Sequence, residues 1–286
     1  MLEPGGVDAG KSGRTIPLRA FPPSRPPPVP PGRGSSPARR PGGRWRRILP
    51  AAVSLVLMLI LLGGAALGGL LLLTPSVGNA RALVRAQDRA HHAADPGPRV
   101  PHRFAAALEA TEDHRFTEEP GVDPFAIGRV MVARLAGHGD QGGATLYQQL
   151  AKVLYTRGRS GAAVELEQAA LAVKLKFSYP AQQILRMYAD VVYFGHGFYG
   201  LKDASCGYFG TTPAGLSWPQ AALMAGLVQG PSADDPLANP AKARVREEHV
   251  LGRLVATGAL TQARAAAALR VPVSGLVANA GQGCRA

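Results

Sequence analysis

The chain has 286 residues, and its 32 Lys and Arg against 19 Asp and Glu leave a formal net charge of +13, with a pI near 10.4. Hydrophobic residues make up 46%, which excludes a wholly disordered chain and leaves room for one globular domain or two small ones. Two cysteines, Cys206 and Cys284, exclude a disulfide-built scaffold and every four-cysteine zinc module.

Residues 1–47 contain 11 of the 25 prolines and eight glycines, and ten basic residues face only Glu3 and Asp8. Such a segment buries too little apolar surface to offset its ordering entropy, so a disordered basic tail is expected. The tail carries +8 of the net charge. Residues 74–286 keep only +5, which argues against nucleic acid as a partner.

Residues 48–73 hold no charged side chain across 26 positions. At about 1.5 Å per residue a helix of that length exceeds the roughly 30 Å hydrocarbon core, so one transmembrane helix is expected. A secretory signal peptide is the rival reading, because Gly78-Asn79-Ala80 offers small residues for a cleavage site. The apolar region of a signal would run only about 7–15 residues, so length favours a retained anchor. Arg44, Arg46 and Arg47 precede the span, with Trp45 at interface level. The positive-inside rule then gives a single-pass plasma-membrane protein with a cytoplasmic N-terminus. Gly64 and Gly68 have helix-pairing spacing, which a glycine-rich span produces readily. A juxtamembrane linker over 74–99, a folded domain over 100–272 and a C-terminal tail over 273–286 complete the expected organisation.

Helical signals dominate that domain. His102–Thr111 is alanine-rich with Phe104 and Leu108, and Pro124–Leu135 carries a one-sided apolar face. Ala169–Val173 is apolar all round, as in a buried helix. Pro180 stands as a first helical residue ahead of Ile184, Leu185 and Tyr188. Ser217-Trp218-Pro219-Gln220 reads as a capping box before Ala221–Val228. Further helices are expected over Ala241–Ala256 and, after a Thr261 cap, Gln262–Leu269. Val191–Phe194 is the one short strand candidate. The domain is therefore mainly α.

Glu112 and Asp113 follow the first of these helices, where adjacent carboxylates are ordinarily solvated. Further on, Gly142-Gly143-Ala144-Thr145 forms a turn before Leu146–Lys152, and Thr145, Gln149 and Lys152 share one helical face. A polar face beside a helix start suits phosphate oxygens, although a plain cap and surface stripe have the same pattern.

In combination, Glu112-Asp113-x-x-Phe116 and Gly143-x-Thr145-Leu146-x-Gln148-Gln149-Leu150-x-Lys152 resemble the first two motifs of glycosyltransferase family 51, the peptidoglycan glycosyltransferases. Ile184-Leu185-x-x-Tyr188, Val192-Tyr193-Phe194-Gly195, Tyr208-Phe209-Gly210 and Ala221 through Ser232 continue the resemblance in order. It implies a lysozyme-like, two-lobed helical domain behind a single N-terminal transmembrane helix. It also implies a substrate, lipid II, whose polymerisation builds glycan strands and releases undecaprenyl pyrophosphate. Glu112 would be the general base for the acceptor hydroxyl. Asp113, Phe116, Arg129, Thr145, Gln148, Gln149, Lys152 and Gln168 would bind substrate, with Arg129 and Lys152 on the pyrophosphate. Phe125–Leu135 occupies the place of the membrane-dipping jaw. The implied partners are lipid II, nascent glycan, membrane lipid and other cell-wall synthesis proteins, without nucleic acid.

The third motif departs from the family's Arg-Lys-x-x-Glu and reads Val164-Glu165-x-x-Gln168. Gln168 keeps the shape of the second acid but not its charge. Glu165 and Glu167 stand nearby, Glu167 rotated about 100° from position 168 on a helix. No metal site is expected from the residues, and any need for Mg2+ or Mn2+ rests on the resemblance alone. Glu119, Ala144, Tyr147 and Asp190 are further departures. Activity with Glu112, or a catalytically impaired relative that binds lipid II or glycan and scaffolds wall synthesis, are the two resulting expectations. A transpeptidase is excluded within this sequence, since Ser-x-x-Lys and Lys-Thr-Gly are both missing. Cys206 reads as a small buried residue, and a Cys206–Cys284 bridge stays open.

Overall fold

The computed structural model describes residues 45–93, 99–118, 121, 144–282 and 284. The chain divides into two units at Ser54 and Leu55, inside the first helix, and the architecture below is that of the second. Helix α1 is Trp45–Leu73, with Pro50 inside it, and its described apolar side chains from Val53 to Leu62 are exposed. Among the described residues it is the one helix long and apolar enough, by length and composition, to cross a membrane.

Behind it come α2 (Ala80–His91), α3 (His102–Glu112), α4 (Leu146–Ala151, continued by a π-turn Lys152–Thr156) and α5 (Ala162–Ser178). Then follow α6 (Ala181–Val191), α7 (Leu201–Phe209), α8 (Trp218–Leu227), α9 (Pro240–Ala256), α10 (Gln262–Ala268) and α11 (Val273–Leu276). Helices α2, α4, α5 and α6 form one pack; α3, α8 and α9, flanked by α10 and α11, form the other. One continuous apolar core runs through both, with Phe104, Tyr147, Tyr188, Phe194 and Tyr208 fully buried. The mainly α expectation is borne out.

Local chemistry accounts for the element ends. The Ser217 amide donates to Gln220 Oε1 at 3.0 Å, closing the capping box that starts α8. Thr261 caps α10 by accepting the Arg264 amide. Pro180 proves to be the residue before α6, its ψ of 147° being extended, so the helix begins one position later than its sequence suggests. Of Ala169–Val173, only Ala170, Leu171 and Ala172 are buried; the flanking two are half-buried on α5. The strand candidate reduces to an isolated bridge between Tyr193 and Tyr199. Pro124–Leu135 lies outside the described residues.

Two features differ from the expected organisation. The segment expected to be a linker contains α2, whose Ala80 and Val84 join the core. Its arginine-rich composition masked that face. The preceding turn is held by Lys174, which donates to the carbonyls of Thr74 (2.7 Å) and Pro75 (3.1 Å), and by Tyr179, which donates to that of Val77 (2.8 Å). The terminal segment is not a loose tail either. Cys206, half-buried rather than buried, is disulfide-bonded to Cys284 across 78 residues.

Glu247 of α9 is wholly buried, 2.9 Å from Arg244. Burial pushes its carboxyl up to about 7, with Arg244 opposing the shift. The folded state therefore holds a proton that the unfolded chain releases near 4.5. The associated stability is present below that pH and lost as pH rises through 7. Glu247→Gln should flatten this dependence and stabilise the protein at pH 8 by about 1–3 kcal/mol, read from urea unfolding across pH.

Candidate active site

Helix α3 stops at Glu112 because Asp113 takes φ −157° and ψ 75°, which no helix continues. The Glu112 side chain is left half-buried at the helix end. Its Oε2 accepts from Gln149 Nε2 at 2.7 Å, and Gln149 Oε1 accepts from the Tyr188 hydroxyl at 2.5 Å. Burial, reinforced by the charge on Glu112, raises the Tyr188 hydroxyl well above its ordinary range. An ionised Glu112 can only accept, which turns the Gln149 NH2 toward it and leaves the amide oxygen to accept from the neutral Tyr188 hydroxyl. The Glu112 carboxyl is itself raised, by desolvation first; the Gln149 hydrogen bond, Arg246 and His249 pull it back down.

Four of the residues expected at the substrate serve as braces here. Asp113, buried, accepts the Leu146 amide at 3.0 Å on Oδ2 and so ties the start of α4 to the end of α3. Thr145 and Gln148 form a reciprocal capping box, the Thr145 hydroxyl accepting from the Gln148 amide while Gln148 Oε1 accepts from the Thr145 amide. The Thr145 hydroxyl also donates to the Gly121 carbonyl at 2.7 Å. Gly121 has φ +97°, and a Cβ there would stand 2.7 Å from the Ala172 carbonyl oxygen, so only glycine fits. Phe116 is buried against the Tyr147 ring, centroids 4.9 Å apart.

Lys152 is exposed on the turn after Gln149 and opens the π-turn. That turn is held from beneath: Gln168 Nε2 donates to the Thr156 hydroxyl at 2.8 Å, which donates to the Lys152 carbonyl at 3.2 Å. Gln168 is thus occupied within the protein. Glu167 pairs with Arg159 at 2.7 Å on the surface, so the structure does not bring it to Glu112 as a substitute acid. Arg129 and Glu119 lie outside the described residues. Among the described residues, the groups that act on the Glu112 carboxyl are the Gln149 amide, by a hydrogen bond, and Arg246 and His249, by charge. Among the described residues no group of three or more His, Cys, Asp or Glu side chains converges on a common point.

The opposite wall carries residues that sequence reasoning did not place in the site. Arg246 of α9 donates to Asp234 Oδ2 at 2.8 Å and to Gln229 Oε1 at 2.6 Å. Gly226 makes this possible, since a Cβ there would come within 2.9 Å of the Arg246 Cβ. Arg253, seven residues on along the same stripe, donates to the Ala110 carbonyl at 2.9 Å, fixing α9 along the end of α3. Tyr188 and Gln229 had a signal, since both fall in the quoted motifs; His249 had none. Replacing Thr145 with Ala should cost about 1–2 kcal/mol in chemical denaturation, the value of a lost helix cap.

Residues 80–255 match the family model described as transglycosylase. A Cupriavidus necator protein named as a transglycosylase is 32% identical over 178 residues, which is 62% of this chain and 77% of that one. Penicillin-binding protein 1A of Escherichia coli is 35% identical over 164 residues (57% of this chain, 19% of that), and that of Aquifex aeolicus 33% over 177 (62% and 24%). The chain thus spans about three quarters of the first relative and a quarter or less of the other two. With the match extending from α2 through nearly all of α9 and taking in every brace of Glu112, the chain belongs to the transglycosylase family.

Proposed function

We propose that the chain is a peptidoglycan glycosyltransferase that polymerises lipid II into β-1,4-linked glycan. One observation carries this reading: a half-buried carboxylate at position 112, held in a fixed direction by the Gln149–Tyr188 pair. Glu112 removes the proton from the acceptor 4-hydroxyl as that oxygen attacks the donor's anomeric carbon. The anomeric C–O bond to undecaprenyl pyrophosphate breaks, the electron pair leaves with the pyrophosphate, and the α-linked donor becomes a β-linked product. The exposed Lys152 ammonium, with Arg129, receives the leaving pyrophosphate. Asp113, Thr145, Gln148 and Phe116 act by holding the α3–α4 junction. Gln168 supports Lys152 through Thr156.

In this reading α1 anchors the chain in the plasma membrane with residues 1–47 in the cytoplasm and the catalytic domain outside. The Cys206–Cys284 disulfide supports that side assignment, since such bonds persist in oxidising surroundings.

The test is polymerisation of labelled lipid II by the full chain in detergent. Glu112→Gln should lower the rate by about 10²–10⁴-fold. Binding of lipid II without polymer by both proteins would replace the enzyme with the alternative, a substrate-binding scaffold, which the loss of charge at Gln168 favours. The pH profile adds a signed check. A general base acts ionised, so the raised Glu112 carboxyl should place the acid limb above the ordinary Glu range. Gln149→Leu removes a hydrogen bond that lowers that carboxyl, and the limb should move to still higher pH.

Lys152→Ala should raise KM for lipid II by about tenfold or more, the scale of a charge-assisted contact, with unfolding unchanged because the side chain is exposed. An unaltered KM would remove Lys152 from the pyrophosphate.

A further inference from the structure

Away from Glu112, a cleft of about 600 Å³ runs between α2 and α6. Val84, Met187 and Pro180 contribute its apolar lining, and Arg81, Arg85 and Arg186 its cations. The two helices run parallel. At their starts Arg81 donates to Gln183 Oε1 at 2.8 Å and lies 5.7 Å from the Tyr179 ring centroid. At their far ends His91 stacks on Tyr199, which bridges to Tyr193 just past α6. The cleft is consequently polarised. Arg81 marks one end, Arg85 and Arg186 flank the middle, and its two acids, Asp88 and Asp190, lie toward the other end.

The cationic end is the one that follows α1. Six residues lie between Leu73 and Ala80, a reach of at most about 25 Å over the seven Cα steps. The bonds from Lys174, Tyr179 and Tyr155 to this connection hold it against the domain. Arg81, Arg85 and Arg89 repeat at every fourth position of α2 and are all exposed. If α1 spans the bilayer, a cleft with guanidinium groups at this end opens where the chain leaves the lipid.

We propose that this cleft seats the phosphate of an anionic phospholipid headgroup from the outer leaflet, with Arg81, Arg85 and Arg186 around the phosphate and the acids holding the far end clear of it. The proposal rests on the reading of α1 as a membrane span and is independent of the chemistry assigned to Glu112.

The test uses the full chain in nanodiscs of phosphatidylglycerol, of phosphatidylcholine, and of phosphatidylcholine with added inorganic phosphate, with amide hydrogen exchange followed over residues 80–91 and 181–191. Phosphatidylglycerol should slow exchange by about tenfold or more relative to phosphatidylcholine, and Arg85→Gln should remove about fivefold of that slowing, as one surface arginine is worth about 1 kcal/mol against anionic lipid. Lys242→Gln, an exposed charge on α9, should leave the slowing intact. Equal slowing by inorganic phosphate in phosphatidylcholine would assign the cleft to a soluble phosphate and overturn the lipid. Equal exchange in all three preparations, with the chain still embedded, would overturn the site. A chain that washes off the discs at alkaline pH would instead overturn the reading of α1.

Discussion

A carboxylate withdrawn from water has to be compensated by the protein, and the hydrogen bond from Gln149 to Glu112 is where that happens. Its direction is set by the carboxylate, which can only accept, and the amide oxygen left over is matched by the buried Tyr188 hydroxyl. One helix end, one amide and one phenol, from three separate helices, therefore determine where the negative charge sits. The Asp113 bond to the Leu146 amide keeps the first two in register, and the core beneath α6 keeps the third in place. Loss of any of these frees the carboxylate to rotate toward solvent.

The departure in the third motif has a local physical counterpart. Gln168 has no charge to offer, and its amide is spent on Thr156 beneath the turn that carries Lys152. The groups whose charge lowers the Glu112 carboxyl, Arg246 and His249, both belong to α9. Arg246 is itself constrained by Asp234 and Gln229, so its charge is fixed without closing on the Glu112 carboxylate.

Patterns confined to neighbouring residues were legible: the Ser217 and Thr261 caps, the Pro240–Ala256 helix and the helical class. The shared face of Thr145, Gln149 and Lys152 was also legible, but its division of labour was not. A threonine before a helix can face a ligand or its own backbone, and the Gly121 carbonyl, far away in sequence, decides for the backbone. Helix α2 was hidden because its arginines outweigh the narrow face of Ala80 and Val84. Arg246 and His249 reach Glu112 only through the packing of α9 on α3, a long-range contact with no local pattern.

The Cys206–Cys284 bond encloses α8 and α9, and with them the whole wall formed by Gln229, Asp234 and Arg246. Closing a ring of this size removes about 4–5 kcal/mol of chain entropy from the unfolded ensemble in the loop-closure account. Reduction would return that entropy to the unfolded chain, so a thiol reductant is expected to lower the stability of this wall from a distance while leaving Glu112, Gln149 and Tyr188 chemically unchanged.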